Sequence, residues 1–470
     1  MLTSFTPRIL LFLIVIFAIL ARLVSSIQAG AQPISTLPAS EPYSLSYAAG
    51  GYDARGNFLG GTELMNLAAF EGRLYAGIGY WMDRPQNIPQ HPDPKSGAQI
   101  LVLDAKAAQW RQENGFSEGD STGGVNTRLS TMRVIQFHRF DAAGNILGPL
   151  AEMLVVGLDG KNGTVYTQRS PGSWEDTRVP APTPIRSLAV YYDPTDKTER
   201  LYAAPGGDLE SADRSVFSGV YDPSAPGRLR WNPTPEHVGV GGRVMSMTEC
   251  DGALFAAARP SIFRRNDAQK SWDVIYSYPI TDPFDLSQYA SGFRGLTCIV
   301  GPDGKKALLS GFEGSSGDIL RTDPHTGAAV VELHTRQFLT QQWGSEPSKP
   351  DIIAGYNDIP AVKSGPGEIR LFGLLARDAD DMHAAWVLSR TTSYPPRYDL
   401  HRVNPPMTWP HSRSDDALWS VRAIAVSPFP EDQGQVLYLG GYDGHFQPDH
   451  NTAWLDRVGV NTALAPYKQK

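Results

Sequence analysis

Arginine recurs at one position of a repeated strand pattern in this 470-residue chain. Recurring segments share the order apolar, long side chain, usually small, apolar, and four of them carry arginine in the long position: Arg133, Arg186, Arg294 and Arg422. Met65 and Met245 take the same position in two others. Guanidinium groups bind carboxylate, sulfate or phosphate through paired hydrogen bonds. The pattern therefore predicts an anion-binding cluster, and the competing interpretation is that each arginine pairs with a carboxylate or carbonyl next to it.

Two loops add candidate side chains. His445 and Tyr442 lie in the densest polar stretch of the chain, and we predict them as catalytic base and acid, since histidine titrates near neutral pH. A metal site from Asp443, His445 and His450 is the alternative there, but its spacing matches no strong metal motif and we predict no metal. Tyr80 and Trp81 form an aromatic pair suited either to stacking on a sugar ring or to packing their own loop.

The elements that position these residues are repeated β-meanders. Apolar first strands recur at residues 64–68, 132–135, 185–189, 244–248, 293–297 and 421–425, with a divergent one at 351–354. Second strands recur at residues 73–77, 152–157, 200–204, 253–257, 307–311, 371–374 and 436–440, at a mean repeat of about 60 residues. Their runs are apolar on both faces, as expected of strands covered on both sides.

This repetition predicts an all-β fold, a β-propeller of about seven four-stranded blades over residues 62–470, after an N-terminal extension at 32–61. A pair of β-sandwiches is the alternative fold. In a four-stranded blade, the start of the first strand and the loop after the second strand share one face. The arginines, Tyr80, Trp81 and the Tyr442 loop are thus expected around one central mouth.

The predicted outer hairpins share a further sequence pattern, in which an Asp or Asn at a turn precedes a tryptophan. Asp267 followed by Trp272 resembles the Asp-box of sialidase-like propellers, although Gln269 stands where that motif has glycine. The resemblance covers one blade and implies a propeller of that broad kind. Seven-bladed polysaccharide lyases offer a similar architecture, with no motif from which residues can be transferred.

The N-terminus and the composition indicate a secreted protein. Residues 1–31 are typical of a signal peptide, with Arg8, an apolar run at 9–21 and a small-residue cleavage site at 29–31. An uncleaved membrane anchor is the alternative for this segment, and no other segment is apolar enough to span a membrane. The net charge of −7 argues against nucleic acid as a partner. The two cysteines, Cys250 and Cys298, either form a disulfide between neighbouring blades or remain buried thiols.

Two functions follow as hypotheses. The first is binding of an acidic polysaccharide, or another anionic ligand, through the arginine mouth. Cleavage by uronate β-elimination or glycoside hydrolysis could accompany it, with no cofactor identified. The second is a non-catalytic extracellular or periplasmic binding or scaffold propeller. A metal-dependent lactonase or oxidoreductase propeller is a third class, and no Gly-x-Ser-x-Gly, phosphate-loop or zinc-protease motif supports another enzyme type.

Overall fold

Antiparallel strands dominate the structure, a computed structural model. It describes residues 40–80, 97–116, 126–160, 164–180, 184–206, 215–238, 243–282, 285, 292–347, 353–355, 359–364, 367–378, 384–403, 419–443 and 451–467. They lie in one compact unit, Ala39–Lys470. The predicted leader, residues 1–31, lies outside the described residues. In those ranges, no helix is long and apolar enough to cross a membrane.

The chain begins with β1 (Ser44–Ala48) and a small hairpin of β2 (Gly51–Tyr52) and β3 (Phe58–Leu59). Meanders of sequential antiparallel strands follow. The first ones comprise β4 (Glu63–Phe70), β5 (Arg73–Gly79), β6 (Gln99–Leu103) and β7 (Arg111–Gly115), then β8 (Asn126–Phe140), β9 (Ile146–Gly160), β10 (Val165–Ser170) and β11 (Ser173–Asp176). The next comprises β12 (Ile185–Asp193), β13 (Thr198–Pro205), β14 (Ser215–Tyr221) and β15 (Leu229–Trp231), with β16 (Glu236–His237) also paired to β14.

The pattern continues through the C-terminal half. Two regular meanders comprise β17 (Val244–Cys250), β18 (Ala253–Ala258), β19 (Ser261–Asn266) and β20 (Ser271–Ser277), then β21 (Gly292–Val300), β22 (Lys306–Glu313), β23 (Ile319–Thr322) and β24 (Ala329–Leu333). Helix α1 (Thr335–Trp343) follows. In the next meander β25 (Ala354–Gly355) and β26 (Ala361–Ser364) both pair with β27 (Gly367–Leu375), which continues into β28 (Ala385–Thr391) and β29 (Tyr398–Val403). The last comprises β30 (Trp419–Val426), β31 (Val436–Asp443) and β32 (Trp454–Gly459), before α2 (Val460–Ala463).

The first strands of successive meanders pack side by side and return to their starting point. β4 contacts β8, β8 contacts β12, β12 contacts β17, and β17 contacts β21. β21 contacts β25, β25 pairs with β27, β27 contacts β30, and β30 contacts β4. β1, from the N-terminus, pairs with β32 as the outer strand of the last meander. This closed arrangement is a β-propeller, so the predicted all-β propeller class is confirmed.

The hydrophobic core lies between neighbouring meanders. One cluster joins Tyr75 and Val102 of the β4–β7 meander to Leu129 and Leu154 of the β8–β11 meander. Second strands are therefore covered on both faces, which explains their unbroken apolar runs. The close approach also requires glycine. A Cβ at Gly157 of β9 would lie 2.7 Å from Ile185 Cγ2 of β12, and one at Gly440 of β31 would lie 2.6 Å from Leu64 Cδ2 of β4.

Outer hairpins link each meander to its neighbour. Trp110, in the predicted turn between β6 and β7, donates a hydrogen bond to Ser46 of β1 at 3.0 Å. Asp267, the aspartate of the Asp-box-like turn, accepts hydrogen bonds from Tyr191 of the preceding meander at 2.7 Å and from Arg265 at 2.6 Å. The aspartate thus joins two meanders.

A disulfide connects two neighbouring meanders. Cys250 at the end of β17 and Cys298 in β21 are bonded, with their Cα atoms 5.3 Å apart and a sequence separation of 48 residues. Of the two interpretations that the sequence left open for these cysteines, the structure contains the disulfide.

Candidate functional site: an axial arginine cluster

A β-bulge recurs near the start of the first strands. The pairing with the second strand skips Met65 in β4, Ser130 in β8, Arg186 in β12, Met245 in β17 and Arg422 in β30, and in β8 it also skips Thr127. In β21 the pairing is interrupted directly after Arg294. Bulges redirect side chains and locally interrupt the ladder. The shared register that the sequence predicted is therefore present for Arg186, Arg422 and the two methionines, whereas Arg294 stays paired with Gly311 and lies directly before the interruption in β21.

Side chains at or next to the bulges of neighbouring first strands contact each other. Arg422 Nη1 lies 3.8 Å from the sulfur of Met65, and Arg294 Nη1 lies 3.7 Å from the sulfur of Met245. The bulges therefore bring together residues that are far apart in sequence at the upper end of the ring, which we define as the end where first strands begin and second strands finish.

Arg133 does not share this register, because Ser130 occupies the bulge of β8. Arg133 lies three residues further along the strand, with Met132 and Val134, in the lining of a separate cavity of about 380 Å³. First strands of other meanders supply most of the rest of that lining, including Leu67 and Ile424. The register assigned to Arg133 is corrected accordingly, and any contact of Arg133 with a ligand stays a prediction.

Arg128 supplies the guanidinium of β8 at the upper end instead. We define the axial cluster as four arginines and the carboxylates beside them: Arg128, Arg186, Arg294 and Arg422 with Glu63, Asp159 and Glu313. Arg128, Arg294 and Arg422 all act electrostatically on Arg186. Arg243 also acts on Asp159. Arginines from several meanders therefore surround the Asp159 carboxylate.

Most members of the axial cluster are paired. Arg128 bridges Glu63 at 3.0 Å and Asp159 at 2.6 Å. Arg422 also pairs with Glu63, and Arg294 pairs with Glu313. Burial alone would raise the pKa of Asp159, but Arg128 and Arg186 hold it below its usual value. The Asp159 carboxylate is therefore ionised, and the arginines beside it compensate much of its charge.

Arg186 differs from its neighbours. Its side chain is 4% exposed, and its closest carboxylate oxygen, Oδ2 of Asp159, is 3.9 Å from Nη1. Neither Nε nor Nη1 has a hydrogen-bond partner within the described part of the chain. Burial, followed by repulsion from Arg128 and Arg294, lowers the pKa of Arg186 well below its ordinary value. A buried cation with unused donors is costly unless an anion pairs with it.

The remaining predicted site residues fall into two groups. Tyr80 is buried, and its hydroxyl donates to Asn451 Oδ1 at 2.8 Å. The backbone of Tyr442 pairs with Ser420 and with Glu63, so this residue borders the axial cluster. Trp81 and His445 lie outside the described residues. Ligand contact by these four residues stays a prediction.

No metal site is found where the structure describes side chains, since no three His, Cys, Asp or Glu residues there could hold an ion. The alternative site of Asp443, His445 and His450 falls outside that part.

Sequence reasoning missed Arg128 and the three carboxylates. A usable signal was present, because second strands β9 and β22 carry the acids Asp159 and Glu313 at or next to their last residue. Acids that recur at strand ends, opposite arginines at strand starts, predict buried ion pairs at one end of a propeller.

Comparisons with known proteins leave the family open. No protein-family model matches the chain, and no curated protein matches it. Among solved structures, the extracellular domain of a putative hybrid two-component system from B. thetaiotaomicron is similar at 13% identity and a TM-score of 0.44. That match covers 88% of this chain and 39% of the other, so this chain spans well under half of that protein.

Two further matches extend over nearly the whole length of the solved structure. An α-L-arabinanase from Penicillium chrysogenum, complexed with arabinobiose, is 10% identical with a TM-score of 0.42, over 90% of this chain and 99% of its own. YCF48 from Cyanidioschyzon merolae is 9% identical with a TM-score of 0.42, over 89% of this chain and 98% of its own. Similarity of this size gives no ground for transferring a ligand or an activity.

Proposed function

We propose that the axial cluster binds the anionic group of a ligand, and that the ligand is an acidic glycan. Arg186 carries this proposal, because two of its buried donors lack partners among the described residues and neighbouring arginines repel its charge. A carboxylate or sulfate that reached Arg186 would accept charge-assisted hydrogen bonds and remove the repulsion that lowers its pKa.

The position of the cluster supports a ligand larger than a simple ion. It lies where first strands from different meanders converge, and such convergence forms the concave mouths that bind ligands. Residual exposure of Arg186, Arg294 and Arg422 is 5–7% each. An acidic sugar could therefore place its carboxylate into the cluster while its remaining units contact the surrounding loops.

Cleavage of the glycan is a further step of the proposal. An arginine cluster that neutralises a uronate carboxylate lowers the barrier to removal of the adjacent proton. His445 and Tyr442 are the proposed Brønsted groups for a lyase or glycoside hydrolase. A binding or scaffold propeller without turnover is the second candidate, and it is favoured by the extensive pairing of Arg128, Arg294 and Arg422 with carboxylates.

The test is isothermal titration with oligouronates and with neutral oligosaccharides of equal length. Wild type should bind an oligouronate and not its neutral counterpart. Arg186→Gln should weaken that binding roughly 10- to 100-fold, because hydrogen bonds to charged groups are worth about 1.5–3 kcal/mol. Arg397→Gln, at a side chain that is 76% exposed, is the control and should bind as wild type does. Equal affinity of wild type and Arg186→Gln would rule the proposal out.

Turnover is measured separately. Absorbance of an unsaturated uronate detects β-elimination, and new reducing ends detect hydrolysis. Saturable binding without either product assigns the non-catalytic function.

We also propose that the meanders are seven blades, that β1 closes the seventh, and that a leader ending near Ala31 directs the chain to the periplasm or the exterior. The disulfide supports this location, since disulfides persist in oxidising compartments. The mass of the exported protein tests the leader, and a mature N-terminus near Gln32 is expected.

A further inference from the structure

A second cavity lies away from the axial cluster, between the β22–β23 loop and helix α1. Its volume is about 640 Å³, and its polar lining includes Asp318, His334, Arg336, Gln337, Gln341 and Glu346. No axial-cluster residue belongs to this lining. The volume falls in the range of about 300–1,000 Å³ that small-molecule sites occupy.

His334 is held by a buried carboxylate at the edge of this cavity. Its Nδ1 lies 3.1 Å from Asp318 Oδ1, and the side chains are 62% and 5% exposed. Asp318 Oδ2 accepts a hydrogen bond from the Tyr278 hydroxyl at 2.8 Å. Burial raises the pKa of Tyr278, so this hydroxyl keeps its proton and remains a donor. Both carboxylate oxygens of Asp318 are therefore engaged.

This arrangement selects one tautomer of the neutral imidazole. Because Nδ1–H donates to Asp318, Nε2 carries the lone pair. Within the described ranges, no hydrogen bond of Nε2 is found. The exposed imidazole can then present an oriented acceptor to the cavity.

The walls of the cavity are fixed. Arg336 donates from Nε to Ser315 O at 2.5 Å and from its backbone N–H to Ser316 O at 2.9 Å. Asp285 in turn accepts two hydrogen bonds from Ser315, each 2.8 Å long. The opposite face of α1 is anchored by buried Trp343, whose ring centroid lies 5.2 Å from that of Trp386. Such anchoring pre-organises a polar site.

We propose that this cavity is a second ligand site, which binds a hydroxyl-rich saccharide with one sugar hydroxyl donating to His334 Nε2. Each sugar hydroxyl both donates and accepts hydrogen bonds. The lining matches this requirement, because the amides of Gln337 and Gln341 do both and Glu346 accepts. The site is independent of the axial cluster and needs no anionic group on the ligand.

The test uses the full chain labelled with ¹⁵N-histidine and a panel of neutral disaccharides. The His334 imidazole resonance is assigned by its loss in His334→Gln. At least one disaccharide should shift this resonance saturably, and His334→Gln should weaken binding of that sugar at least 10-fold in calorimetry. If no sugar moves the resonance, or if His334→Gln binds as wild type does, the inference is wrong.

Two further variants make the result specific. His325 forms a comparable contact with Asp251, at 2.7 Å, but both side chains are about half exposed and neither lines the cavity. His325→Gln should leave affinity unchanged within twofold. Arg186→Gln should also leave it unchanged, which separates this site from the proposed axial function. A thermal midpoint for His334→Gln within about 2 °C of wild type shows that the variant is folded. A larger fall together with lost binding counts as a structural role and against the inference.

Discussion

Arg422 donates a hydrogen bond to Glu63, a residue 359 positions earlier in the chain. Glu63 also pairs with Arg128 at 3.0 Å, and its own side chain is fully buried. One carboxylate of β4 therefore connects the meanders on either side of it, through β8 and β30. The ring is joined at its upper end by charge as well as by apolar packing.

Glu63→Gln should destabilise the protein strongly. The substitution leaves two buried guanidiniums with less compensation, and breaking a buried ion pair costs about 3–5 kcal/mol. Urea unfolding measures the loss. Glu368→Gln is the control, since Glu368 is 47% exposed and lies 3.5 Å from Arg370, and an exposed pair contributes about 1 kcal/mol or less. Equal effects of the two variants would contradict the assigned role of Glu63.

Asp456 should make stability depend on pH. Burial raises its pKa to about 7, and its Oδ2 has no hydrogen-bond partner in the described ranges. An unfolded aspartate titrates near 3.9, so between about pH 4 and pH 7 the folded state binds more protons and stability falls as pH rises. Asp456→Asn should therefore match wild type near pH 4 and exceed it at pH 8, by up to about 4 kcal/mol.

Urea midpoints from pH 4 to pH 8 check this expectation. The exposed Asp273→Asn should follow the wild-type curve within about 0.5 kcal/mol. Parallel curves for wild type and Asp456→Asn would show that Asp456 does not titrate in this range.

Loss of the disulfide should lower stability by about 4 kcal/mol, from the chain entropy of a loop with 48 residues of separation. The variant that carries both Cys250→Ala and Cys298→Ala should unfold at a lower urea concentration than oxidised wild type. Dithiothreitol during unfolding should shift wild type toward the variant and leave the variant itself unchanged. A wild-type midpoint indifferent to reductant would mean that the two cysteines are not bonded in solution.

Tyr80→Phe should affect stability and not ligand binding. The hydroxyl of Tyr80 bonds Asn451, which also accepts the backbone N–H of Gly61 at 3.1 Å. Removal of the Tyr80 hydroxyl should lower the free energy of unfolding in urea by about 0.5–1.5 kcal/mol. Tyr52→Phe, at a residue 71% exposed, should cost nothing measurable. Weaker oligouronate binding by Tyr80→Phe would instead support the contact role predicted from the sequence.

The strands were predictable because burial on both faces produces unbroken apolar runs in the sequence. Residues 152–157 and 436–440 read as apolar runs, and both lie in second strands covered by neighbours. The register of Arg133 was not predictable in the same way. Residues 132–135 repeat the order of an apolar residue followed by a long side chain, but the equivalent bulge of β8 falls at Ser130. A bulge adds one residue to a strand and requires no particular residue type, so the sequence does not show where it lies.

Pairing across the ring was also beyond sequence reasoning. Glu63 and Arg422 lie 359 residues apart, and only the closure of the propeller brings them together. The first strand predicted at 351–354 already diverges from the repeated pattern in the sequence. In the structure Ile353 forms a single bridge with Gly314, and β25 adds only two residues of pairing with β27.

The pairing of β1 with β32 determines when the propeller can close during synthesis. Ser44 and Arg457 are partners across this pairing although 413 residues separate them. A nascent chain makes β1 before all the other described strands, yet β32, the strand that pairs with it, follows all of them. The ring therefore closes only after β32 has been made.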